Sequence, residues 1–331
     1  MKRILANTLP VEIQGRRIFY ISFASFEQRC LTAISNLPRD RVGMAIVLFN
    51  RANSNPKISE NLKIMNAHLD GAVKEIAVNL ADPFDIREQV INALSSIDRV
   101  FDQFVLDVTT FTHEALAITV DMLSERWPDQ SWSILYNGAA DYDPAHNDPD
   151  EIWLSKRPSG VRSVLGFSGE MHPSRKLHLL IFVGFEHERA RYAIEAFEPN
   201  TITLGLGEKS QSVSDTLADL NAHFFKKVDS FAGSMAATYS RLNKVTFSCT
   251  DPQKTLDVVR KVVADSLEFN TIICPMNTKL STLGVVLAAM ENPSIQLAYV
   301  PVDEYNEDAY ATPSEFLTVD NIVFRKKAIV R

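Results

Sequence analysis

The sequence predicts an α/β protein of two tandem Rossmann-like domains, each a mostly parallel sheet flanked by helices, related by internal duplication. Three observations predict it. Short β-rich runs alternate with helix-length amphipathic runs, the pattern of strands joined by crossover helices. The order of elements in the first half returns in the second. The chain has 331 residues, near twice the ~100–200 residues of a usual domain.

In the first half the strands are expected near 17–23, 42–49, 73–79, 103–108 and 131–136, with helices near 26–36, 58–69, 83–97 and 112–126. In the second half the strands fall near 177–183, 201–205, 244–248, 271–274 and 295–300. Its helices fall near 186–197, 213–227, 252–267 and 281–290. Four residue patterns repeat in the same order. Phe26-Glu27 with Arg29 answers Phe185-Glu186 with Arg189, each directly after the first strand. Ala81-Asp82-Pro83 answers Thr250-Asp251-Pro252, where Asp and Pro suit the N-cap and N1 positions of a helix. Asp107-Val108-Thr109-Thr110 answers Pro275-Met276-Asn277-Thr278, and Tyr136 with Tyr142 answers Tyr299 with Tyr305 at equal spacing. One such match arises by chance; four in order point to duplication.

The polar stretch 141–160, carrying Pro144, Pro149 and Pro158, reads as a linker that 168–174 extends. The expected division is a first domain at 1–165, a linker at about 141–175, and a second domain at 166–331.

Hydrophobic residues at 46% and charged residues at 23% are globular proportions. A net charge of −7 gives no overall attraction to a nucleic-acid polymer or an anionic membrane. Cys30, Cys249 and Cys274 stand singly, in no disulfide or ligand spacing, which suits a reducing compartment. The first residues lack the ~7–15-residue apolar core of a signal peptide, so a cytoplasmic location is expected. The longest apolar stretch, 177–185, is about half a membrane span.

Ligands of open parallel sheets bind beyond the carboxyl ends of the strands, where strand order reverses. In a 3-2-1-4-5 order that place lies between strands one and four, and the loops leaving those strands are the ones that match between the halves. In the second half, Asn277, Thr278, Lys279 and Ser281 lie where a strand gives way to a helix, so hydroxyls, backbone N–H groups and one ammonium suit a phosphate. The competing explanation is that Ser281 or Thr282 is simply an N-cap. In the first half, Asp107, Thr110, His113 and Glu114 offer groups for sugar hydroxyls, a base edge or acid–base work. Their bland alternative is a cap at Asp107 and a solvent-facing first turn. Ser25 and Gln28 have capping-box spacing. Glu27 with Arg29 and Glu186 with Arg189 are candidates for ligand contact or for pairing with each other. Tyr142 and Tyr305 are candidates for base stacking or loop anchors.

Several motifs fail on spacing. Gly205-Leu206-Gly207-Glu208-Lys209-Ser210 lacks the phosphate-loop arrangement and the third glycine of a dinucleotide fingerprint. His113-Glu114 and His187-Glu188 have no second histidine four residues on. The acidic stretch from Asp141 to Asp150 lacks a calcium loop's glycine turn and terminal glutamate. No metal or cofactor is expected.

Two fused Rossmann-like units, each with a ligand loop after strands one and four, resemble the CRISPR-associated Rossmann-fold (CARF) sensor domains. They also resemble the tandem, SAVED-like form that senses cyclic oligonucleotides in antiphage systems. The resemblance implies that Asn277, Thr278 and Lys279 meet the phosphates and bases of a nucleotide ligand. It also implies that the two crevices face each other as in a pseudo-dimer, with the effector on a separate partner chain. Phe111, standing where the second half has Lys279, departs from the pattern, and no effector domain is recognisable. The leading expectation is therefore a regulatory nucleotide sensor, with oligomer formation left open. Its rivals are a nucleotide-cleaving hydrolase using Glu27, Asp107 or Glu114, and a protein-binding scaffold.

Overall fold

Runs with no polar side chain that needs water become central strands. The computed structural model describes residues 1–327, and its contacts divide the chain into two units. The first comprises Met1–Pro144 with Ala309–Arg325. Its strands are β1 (Lys2–Leu5), β2 (Ile18–Ala24), β3 (Val42–Asn50), β4 (Val73–Val78), β5 (Gln103–Asp107), β6 (Ser131–Tyr136) and β7 (Ala139–Tyr142). Two more, β16 (Ala311–Pro313) and β17 (Phe316–Val323), return from the far end of the chain. The main helices are α2 (Arg29–Ile34), α3 (Pro56–His68), α4 (Pro83–Ser95) and α5 (His113–Arg126), after a short α1 (Leu9–Glu12).

The main sheet of this unit runs β1-β17-β6-β5-β2-β3-β4. β2 to β6 are mutually parallel, and β17 adds antiparallel to β6. β2 is buried at all seven positions, as a parallel strand covered on both faces must be. It pairs with β5 from Ile18 opposite Gln103 to Ile21 opposite Leu106. Strands one and four of the Rossmann order are thus neighbours.

The second unit comprises Ala145–Asp308 with residues 326 and 327. Its strands are β8 (Ser155–Pro158), β9 (Arg162–Ser168), β10 (Lys176–Phe182), β11 (Thr201–Gly207), β12 (Arg241–Phe247), β13 (Phe269–Pro275), β14 (Gln296–Tyr299) and β15 (Val302–Tyr305). Its helices are α6 (His187–Phe197), α7 (Asp215–Ser234), α8 (Pro252–Ala264) and α9 (Lys279–Glu291). The sheet runs β12-β11-β10-β13-β14-β9, with only β9 antiparallel. β10 pairs with β13 from Lys176 opposite Phe269 to Phe182 opposite Pro275. Both units therefore have the 3-2-1-4-5 order, and both helices expected to open on Asp-Pro do so. Asp82 accepts from the Phe84 N–H, and Asp251 accepts from those of Gln253 and Lys254.

The structure differs from a plain division near residue 165. The stretch expected to be a linker carries β7, β8 and β9, and the last strands of the chain belong to the first unit. The physical reason is strand pairing. Tyr136 to Ser131 of β6 lie opposite Thr318 to Val323 of β17, while Gln296 to Tyr299 of β14 lie opposite Ser168 to Arg162 of β9. Small ladders repeat the exchange, β7 with β16 and β15 with β8. Each half's parallel core is thus extended by a strand from the stretch that follows the other half's core, β17 in the first unit and β9 in the second.

The loops leaving strands one and four approach closely in the second unit. A Cβ on Gly184 would stand 1.8 Å from the Met276 carbonyl oxygen, so only glycine fits without moving backbone. Overpacking of this kind typically costs ~1–3 kcal/mol. Gly184→Ala is expected to lower the unfolding free energy by about that amount or more, read from the denaturation midpoint in urea.

Candidate functional site

In the first unit a buried ion pair sits directly beyond β2. Arg29, the first residue of α2, is 4% exposed. Its Nε donates to Glu27 Oε2 at 2.7 Å and its Nη1 to the Asn137 carbonyl at 3.2 Å. Its guanidinium carbon lies 5.6 Å from the centroid of the Tyr142 ring, and it also hydrogen-bonds the Tyr142 hydroxyl. The hydroxyls of Tyr136 and Tyr142 bond to each other. The expected capping box does not form: Ser25 Oγ accepts from the Glu27 N–H at 3.3 Å, and the Gln28 side chain makes no cap.

Beyond β5, Asp107 is 1% exposed. It accepts from the Tyr20 hydroxyl at 3.0 Å, from the Thr109 N–H at 3.0 Å and from the Thr109 hydroxyl. Burial pushes its carboxyl up to about 6, against the pull of these hydrogen bonds and of Arg29. Thr112, not Asp107, caps α5, accepting from the Ala115 N–H at 3.1 Å. His113 and Glu114 follow as the first residues of α5 and are buried rather than solvent-facing. The Thr110 hydroxyl donates to the Phe23 carbonyl and so ties the end of β2 to the loop after β5.

The second unit repeats the ion pair. Arg189 is 4% exposed and donates through Nη1 to Glu186 Oε2 at 2.7 Å. The Ser155 hydroxyl donates to the other oxygen of Glu186. Arg189 lies 5.1 Å from the centroid of the Tyr299 ring, and Tyr305 hydrogen-bonds Tyr299. The equal tyrosine spacing has a structural cause. Tyr136 and Tyr299 end the fifth parallel strands, while Tyr142 and Tyr305 end the short strands that follow.

The loop after β13 is built from its own polar groups. Asn277 Nδ2 donates to the Val183 carbonyl at 2.7 Å, and the Thr278 hydroxyl donates to that of Cys249. Thr278, not Ser281 or Thr282, is the N-cap of α9, accepting from the Ser281 N–H at 3.2 Å. Ser281 Oγ donates back to the Thr278 carbonyl at 2.8 Å. Lys279 is the first residue of α9 as His113 is of α5. Helix starts thus place His113, not Phe111, where the second unit has Lys279, because the first unit has two more residues between strand and helix.

The structure gathers Glu27, Arg29, Asp107, Thr110 and Tyr142 at the rim of one unit. It gathers Glu186, Arg189, Asn277, Thr278 and Tyr305 at the rim of the other. Asn137, Tyr20 and Ser155 also belong to these rims, although no motif marks them in the sequence. Asn137 is fully buried; its N–H donates to Thr109 Oγ1 at 3.0 Å, and its Nδ2 to the carbonyls of Ser314 and Phe316 at 2.7 and 2.8 Å. The one signal was its place directly after a fifth strand.

All three cysteines are buried and unpaired. Burial pushes the Cys30 and Cys274 thiols up to about 12 and Cys249 to about 11, so none is a thiolate nucleophile near pH 7. Among the described residues no group of His, Cys, Asp and Glu is placed to hold a metal ion. No helix among them is long and apolar enough to cross a membrane.

No protein-family model matches the chain, and no curated protein does. Among solved structures it is similar to a type III CRISPR defence DNA nuclease activated by cyclic oligoadenylate, with 8% identity and a TM-score of 0.53. That match covers 85% of this chain and 65% of the nuclease, and it shows a shared fold. A periplasmic ribose ABC transporter from Conexibacter woesei DSM 14684 aligns at 13% identity over 83% of this chain and 68% of that one, with a TM-score of 0.25. The cytoplasmic domain of a prokaryotic cation chloride cotransporter aligns at 9% identity over 88% and 98%, with a TM-score of 0.26. Scores that low have no bearing on the fold.

Asp107 sets a pH dependence. Its folded value of about 6 lies above the ordinary 3.8, so between about pH 4 and 6 the folded chain binds more protons than the unfolded one. Stability falls with rising pH in that window, by about 3 kcal/mol at ~1.4 kcal/mol per unit. Urea denaturation across pH 4–7 is expected to show this fall in the wild type and its loss in Asp107→Asn.

Proposed function

We propose that the protein is a regulatory sensor of a nucleotide second messenger, with a cyclic oligonucleotide as the first candidate, in a defence or stress system. The supporting observation is that the rim between strands one and four is built twice with the same parts: a buried Glu–Arg pair, a tyrosine pair and a strand-to-helix turn. The fold it shares with the cyclic oligoadenylate-activated nuclease is the second support. That chain extends well beyond the match, and an effector on a separate partner chain is part of the proposal. So is a cytoplasmic setting, in keeping with three unpaired cysteines.

In this reading Lys279 meets phosphate, and Asn277, Thr278 and Ser281 hold the turn that presents it. His113 takes the matching place in the first unit, with Asp107 and Thr110 behind it. The buried pairs Glu27–Arg29 and Glu186–Arg189 form the floors of the crevices, and Tyr142 and Tyr305 their walls. Binding favours one arrangement of the chain over another, a shift of populations without bond cleavage. Sensing is favoured over hydrolysis because Asp107 and Glu114, each 1% exposed, are withdrawn from solvent, with Asp107 bonded through both oxygens.

Thermal unfolding with linear and cyclic nucleotides tests the reading. A ligand at a hundred times its dissociation constant adds about 2.7 kcal/mol of stability. At least one cyclic oligonucleotide is expected to raise the wild-type melting temperature and to be recovered intact. Lys279→Ala is expected to cut that shift. Unmoved melting of the wild type in every nucleotide contradicts the proposal.

A further inference from the structure

Two stretches of chain cross between the units. Residues 143–154 lead from β7 to β8, and residues 306–310 lead back from β15 to β16. The two stretches are joined to each other at both ends. In the first unit Tyr142 lies opposite Ala311, and the Asp143 N–H donates to the Tyr310 carbonyl at 3.1 Å. In the second unit Ser155 lies opposite Tyr305, and the Asn306 N–H donates to the Leu154 carbonyl at 2.9 Å.

A buried asparagine clamps each end. Asn137, directly after β6, is fully buried, and its Nδ2 donates to the Ser314 and Phe316 carbonyls at 2.7 and 2.8 Å. Its own carbonyl accepts from Arg29 at 3.2 Å. Asn306, directly after β15, is 7% exposed, and its Nδ2 donates to the Trp153 carbonyl at 3.1 Å. Two residues on, the Ser155 hydroxyl donates to Glu186. Buried amides and carbonyls left unmet are costly, so these clamps resist opening.

The return stretch has little length to spare. The Tyr310 ring packs on Phe26 and Tyr142, with centroids 5.6 and 6.3 Å apart, so only residues 307–309 separate two pinned positions. Such a segment reaches at most ~14 Å, and the Glu307 N–H shortens it further by donating to the Tyr305 carbonyl at 2.9 Å. A displacement at one end is therefore passed on instead of absorbed. Link by link, the bonds run from Arg29 through Asn137 to Ser314, along the chain to Asn306, and through residues 153–155 to Glu186. Contiguous bonded elements of this kind are what couple distant sites.

We propose that residues 306–316 form a tether that couples the two rims, so that loosening or filling one changes the order of the other. This holds whatever ligand the rims take, and it stands or falls apart from the sensor reading.

Hydrogen–deuterium exchange of the full chain, without ligand, tests the tether. Asn137→Ala removes the side-chain clamp and keeps the backbone bonds to Arg29 and Thr109. It is expected to speed exchange about fivefold or more at residues 153–155 and 186–189 as well as at 314–317. β4 and β12, the far edges of the two sheets, are expected to be unchanged. Inserting about six Gly and Ser residues after Asp308 keeps both clamps and adds slack at small cost. In that background Asn137→Ala is expected to act on the first unit alone. Should Asn137→Ala not fold, Ser155→Ala is read in the reverse direction, at 314–317, by the same comparison. Three results overturn the tether: a change confined to the substituted unit, an acceleration that spreads evenly to β4 and β12, and an effect on the other unit that survives the insertion.

Discussion

A carboxylate and a guanidinium buried together at the end of the first parallel strand are the constraint on which each unit depends. Neither charge is tolerable alone in that setting, since removing one partner of a buried pair leaves the other uncompensated. Glu27 and Arg29 therefore fix the loop after β2, and the same guanidinium holds the exit of β6 through the Asn137 carbonyl. Glu186 and Arg189 fix the loop after β10, with Ser155 of β8 bonded to Glu186. The rim is held in place by charge before any ligand arrives, and such preorganisation lowers the cost of ordering on binding.

Duplication preserved the frame and let the chemistry diverge. Both units keep the strand order, the ion pair, the tyrosine pair and the Asp-Pro helix start. At the end of the fourth strand they part. The first unit has a buried Asp107 held by Tyr20 and Thr109, while the second has Pro275 and then Asn277 bonded to the Val183 carbonyl. His113 opens one helix and Lys279 the other.

Much of this was legible in the sequence, for physical reasons. β2 and β10 are apolar runs covered on both faces, so composition alone marks them as central, and Asp82-Pro83 and Asp251-Pro252 announce helix starts by the bonds they make. The repeated loops indicated which strands are neighbours. The exchanged strands were not legible. β7 and β8 are short and half-exposed, and the partner of β6 lies more than 170 residues further along the chain. Local pattern has no access to such a pairing. Thr278 was hidden as a cap because Ser281 and Thr282 are equally good capping types. The burial of His113 and Glu114 was hidden because a first helical turn is ordinarily wet. Asn137 carried no signal beyond its position.

The central claim is that the twin rims are where a nucleotide acts. Hydrogen–deuterium exchange of the full chain, with and without saturating cyclic oligonucleotide, reads this directly from the backbone. Slowed exchange is expected in residues 24–29 and 107–114 of the first unit and in 184–189 and 275–282 of the second, with the distal ends of both sheets unchanged. Protection confined to other surfaces, by a ligand shown to be bound, would contradict it.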